Sequence, residues 1–76
     1  MLNNSFTLRM ADRLAQRIEA EVGKDPSQQA ERACALTWGR RPTDPERGVS
    51  REFVSEHGLS ALCRLLFNSN EFLYVD

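Results

Sequence analysis

Two cysteines, one histidine and a run of arginines are the side chains of this sequence whose types could carry chemistry. Cys34 and Cys63 are the only cysteines and stand 29 positions apart. No C-x-x-C or C-x-x-C-H spacing occurs, so neither a dithiol redox pair nor a covalent haem site is encoded. Both fall on apolar helix faces, where the favoured reading is two buried thiols acting as small hydrophobes. The alternative is a disulfide tying the second helix to the fourth, worth roughly 2–4 kcal/mol in a chain of this length. As metal ligands the two are too few for zinc, and no cofactor is expected.

His57 is the only histidine and precedes Gly58 at a predicted helix end. A protonated imidazole there meets the negative end of the helix dipole, a stabilising placement. General-base duty would need a pocket and an orienting carboxylate, and Glu52 and Glu56 are equally well explained as a solvated face. Arg40, Arg41, Arg47 and Arg51 could form a basic patch round a helix–turn–helix, but Asp44, Glu46 and Glu52 dilute it. The Arg40–Pro42 joint is also longer and richer in proline than a tight recognition turn. Structural arginines bonding helix-terminal carbonyls are favoured. Trp38 and Tyr74 read as core or interface anchors rather than stacking platforms.

The elements that must position these residues are all helical. Asn3-Asn4-Ser5 supplies an N-cap, and Phe6, Met10, Leu14, Ile18 and Val22 then recur every fourth residue, predicting an amphipathic helix over 5–22 that Gly23 stops. Asp25-Pro26-Ser27-Gln28 opens a second helix over 26–38, with Asp25 as cap, Pro26 in the first position and Gln28 bonding back. Its inner side is Ala30, Ala33, Cys34, Thr37 and Trp38, and Gly39 closes it. Thr43 and Glu46 form a capping box for a third helix over 44–57, thinly apolar with Val49, Phe53 and Val54. After Gly58 a fourth helix runs over 59–68 through Leu59, Leu62, Cys63, Leu66 and Phe67. The ending NSNEFLYVD reads as a further turn or as a tail folding back, with the turn favoured. The expected architecture is all-α, a small bundle of four short helices with short connections.

Composition sets the outer limits. At 76 residues the chain makes one small module, and a core of that size keeps no more than about 3–5 kcal/mol of net stability. Ten basic and eleven acidic residues leave a net charge of -1, no footprint for nucleic acid or an anionic membrane. No apolar run approaches the roughly 18 residues of a membrane span. The first residues lack the basic and apolar regions of a secretory signal, so the default location is the cytoplasm.

Leu2-Asn3-Asn4-Ser5-Phe6, the joint Gly39-Arg40-Arg41-Pro42-Thr43, and His57-Gly58-Leu59 with the ending Asn68 to Asp76 together resemble a known family. They are similar to the extreme C-terminal segment of the large planctomycete surface proteins carrying domain of unknown function 1553. The similarity spans essentially the whole chain, and NSNEFLYVD is its most specific part. The resemblance implies the C-terminal part of a larger helical domain, in proteins that are exported or in the cell envelope and often carry a cytochrome c-like module. No residue here matches that module, so haem chemistry is not carried over.

Three functional readings follow. The favoured one is a non-enzymatic structural or interaction module, the helical cap of a larger protein, whose partner is the remainder of that domain or a second copy in a homodimer. The alternative is a contribution to an enzyme or carbohydrate-binding site of the parent protein, through Arg40, Arg41 or His57. The third is a small helical nucleic-acid binder. The favoured reading expects an exposed apolar patch of several hundred Å² that promotes dimerisation, dye binding or ready unfolding. Phe6, Met10, Leu65, Phe72 and Tyr74 are its candidate residues.

Overall fold

Caps and glycines cut the chain into four helices, seen in a computed structural model that describes residues 5–74, with side-chain surroundings for residues 5–68. They are α1 (Ser5–Val22), α2 (Pro26–Trp38), α3 (Asp44–His57) and α4 (Leu59–Tyr74). No strand occurs among the described residues. The cap residues Asn3 and Asn4 and the apolar cluster Phe72–Val75 lie outside what the structure describes of side chains. α4 itself continues to Tyr74, six residues past the expected end at 68. The polar stretch Asn68–Glu71 is a mild penalty that no proline or glycine reinforces, and the helix runs through it.

The caps behave as their chemistry dictates. Asp25 accepts from Ser27 N at 3.3 Å, and Pro26 takes the first helical turn. The joint is then closed by Gln29 rather than Gln28: its buried amide donates to the Gly23 carbonyl at 2.7 Å, fastening α2 to the end of α1. At α3 both halves of the box are made, with Thr43 N donating to Glu46 Oε1 at 2.8 Å and Glu46 N to Thr43 Oγ1 at 3.4 Å. Gly39 ends α2 in the left-handed conformation, its N–H donating to Ala35 O at 3.0 Å.

α2 and α4 form the centre. α1 packs on one side of this pair and α3 on the other, without touching each other. Ile18, Leu62, Cys34 and Cys63 are the largest fully buried side chains, and Ala11, Ala30 and Ala33 let the helices approach closely round them. The radius of gyration, 11.5 Å, equals the about 11 Å of a compact chain of this length, so the helices close round a core of their own.

The buried stripe of α1 departs from the every-fourth-residue reading. Thr7, Ala11 and Ile18 are buried, with Leu14, Ala15 and Val22 packed beside them, whereas Phe6 and Met10 stay exposed. At about 100° per residue, each step of four drifts about 40° round the helix, so Phe6 and Val22 cannot share one face. On α3 Ser50 and Val54 are buried, and Val49, one of its few apolar residues, is 70% exposed.

Candidate docking groove

The groove begins with how α2 stops. Trp38 is its last residue, and the left-handed turn at Gly39 folds Arg40 back so that its guanidinium lies 4.9 Å from the indole centroid. Arg40 also grips Glu46 with two parallel bonds, at 2.9 and 3.0 Å. The Arg40 bond first, and the Thr43 backbone N–H second, hold the Glu46 carboxyl well below the usual carboxylate range, at about 2. One residue therefore caps α3 and anchors the cation that covers Trp38.

Residues of α3 and α4, with Trp38, line an apolar cleft of about 330 Å³. Trp38 closes one end, Pro45, Val49 and Phe53 form the α3 wall, and Leu65 and Leu66 form the α4 wall. Leu62, fully buried, lies at the floor. Val49 and Leu65 stand at the rim, 70% and 39% exposed. The Trp38 indole Nε1 is shielded from water yet has no acceptor. A buried donor left unpaired costs about 1–3 kcal/mol, so such atoms are uncommon in settled cores.

Beneath the cleft wall, Ser50 Oγ lies 3.4 Å from Cys34 Sγ. Both cysteines are free and buried, not bonded to one another. Burial raises both thiols, Cys63 up to about 12, so neither is a thiolate at neutral pH.

The remaining candidates are dispersed. Phe6 is exposed on α1, and Met10 lines a separate cleft with Leu14, Leu36 and Phe67 whose rim carries Arg13 and Arg17. Of the surface residues suggested by sequence, only Leu65 reaches the Trp38 groove, and the side chains of Phe72 and Tyr74 lie outside the described residues. Val49, Pro45 and Ser50 were not among the candidates; the signal that could have found Val49 is its helical offset from the buried pair Ser50 and Val54.

Of the four arginines, Arg40, Arg41 and Arg47 meet carboxylates, and Arg40 also donates to the Arg41 carbonyl at 3.1 Å. Arg47 bonds Asp44 and, at 3.3 Å, Glu31, and Arg41 approaches Glu31 at 3.8 Å. His57 stacks obliquely on Phe53, ring centroids 4.7 Å apart, with Glu56 at 3.8 Å. Among the described residues no cluster of three or more acidic, histidine or cysteine ligands could hold a metal, and no helix is long and apolar enough to cross a membrane. No protein family, no curated protein and no solved structure matches the chain.

Proposed function

We propose that this chain is an interaction module whose working surface is the Trp38 groove, rather than an enzyme. The observation that carries the reading is one apolar cleft, lined by Trp38, Pro45, Phe53 and Leu66, whose rim side chains Val49 and Leu65 are left in water. Covering that rim removes apolar surface from water at about 25 cal/mol per Å². Aromatic side chains with one polar end are also the residues on which association energy concentrates. The paired arginines and buried, protonated thiols offer little to a reaction by comparison. The reading accommodates a helical cap that docks on a larger protein, as the resemblance implies, and equally a self-association partner.

Binding of a neutral phenylnaphthylamine dye tests it. Wild-type protein is expected to brighten the dye saturably, and Val49→Glu to abolish the signal without lowering the melting temperature, because Val49 packs on little. Phe6→Glu, on the far helix, should leave it unchanged. A dye signal lost with Phe6→Glu and retained with Val49→Glu would move the working surface to α1.

A further inference from the structure

The shape and charge of the groove identify what it takes. Along α3 the wall runs from Pro45 to Phe53, about 12 Å at 1.5 Å per residue. That length matches the span over which a helix repeats its apolar anchors at i, i+3 or i+4, and i+7. A hydrophobic groove between two helices is a seat for the apolar face of such a helix.

The charges on this side have one sign. Arg40 and Glu46 neutralise each other at the Trp38 end. On α3, positions 49, 52 and 56 share a face, which sets Glu52 and Glu56 beside the exposed Val49. Both are exposed; Glu52 has no cationic partner among the described residues, and Glu56 meets only His57, at 3.8 Å. On α4, Arg64 is placed on the face away from Leu62 and Leu66, so it does not offset them. Arg47 is held by Asp44 and Glu31, and Arg51 falls on the opposite side of α3 from Val49.

We infer that the groove takes a basic amphipathic helix, its apolar anchors between α3 and α4 and its lysines or arginines on Glu52 and Glu56. The inference rests on the docking reading above and adds the sign of the partner's charge and its conformation.

Trp38 is the only tryptophan, so its emission reports directly on the cleft. The probes are two synthetic helices of about 14 residues, both with leucine at i, i+3, i+4 and i+7, one carrying lysines elsewhere and the other glutamates. The lysine peptide is expected to shift Trp38 emission saturably and to bind about tenfold more tightly than the glutamate peptide, the product of two exposed ion pairs. The double variant Glu52→Lys, Glu56→Lys should reverse that order, and Val49→Glu should remove binding of both. All three positions are exposed, and circular dichroism and melting should be unchanged by these substitutions. Equal binding of the two peptides, with Val49→Glu still blocking both, would overturn the inference and leave the docking reading standing. No Trp38 response to either peptide, with no dye bound, would overturn both.

Discussion

Alanine at Gly58 tests the joint that sets the groove's two walls. Gly58 alone separates α3 from α4, at φ 93° and ψ 161°, a region open essentially to glycine only and costing other residues about 1–3 kcal/mol. A Cβ built there meets nothing within 4 Å, so no steric clash adds to that cost. Alanine also narrows the unfolded ensemble, a gain of about 0.4–1 kcal/mol. The net expectation is a loss of about 1–2 kcal/mol. In a domain of 60–100 residues that lowers Tm by about 5–15 °C. Gly48 is the matched control: it lies inside α3 without positive φ and with open space round its Cα. Gly48→Ala should therefore gain about 1 kcal/mol of helix propensity and raise Tm. The assay is thermal unfolding followed by circular dichroism, with both variants under one buffer. If Gly58→Ala raised Tm as Gly48→Ala does, the joint would not need its observed conformation. The placing of α3 and α4 that lines the cleft would then be unsupported.

Other predictions concern the cap and the thiols. Thr43→Ala should cost about 1 kcal/mol in denaturant unfolding, the usual loss for an N-cap hydroxyl; no change would place the start of α3 elsewhere. Glu46 has a depressed folded-state pKa, so its stabilisation is complete above the ordinary 4.5 and fades as pH falls through about 2. Glu46→Gln should accordingly melt below wild type at neutral pH, and the gap should close across that window; a gap that persisted undiminished to the acid end would refute the Arg40–Glu46 clamp. Native protein purified without reductant should show two thiols that react only on unfolding, since both are fully buried and raised by burial. Rapid native labelling, or no titratable thiol after denaturation, would contradict the structure.

The parts of the fold legible in sequence are those decided within a few residues. Pro26, Thr43 with Glu46, and Gly39 act on their immediate backbone, and the helix starts and stops fall where their chemistry puts them. Which way a helix faces is decided at longer range. Phe6 and Met10 share the apolar period of α1 yet stand exposed, as candidates for a surface patch should, and the small Thr7 and Ala11 take the buried face because a close approach of α1 to its neighbours favours small side chains there. Val49 is apolar by type but stands outward, because Ser50, bonded to Cys34, takes the inner position. The groove was illegible for the same reason. Trp38, Val49 and Leu65 come from three helices, and only the arrangement of all three brings them round one cleft. Leu65 is the exception: leucines at 62, 65 and 66 occupy more than one side of α4, a signal contained in a single helix.

Energy transfer from Trp38 to a bound neutral phenylnaphthylamine dye tests the central claim most directly, because donor and proposed site coincide. The account predicts that Trp38 emission falls in step with the rise of dye emission, saturating at one dye per chain, and that Val49→Glu removes both changes while Met10→Glu preserves them. Dye emission that disappears with Met10→Glu and persists with Val49→Glu would place the apolar surface away from the groove and contradict the account.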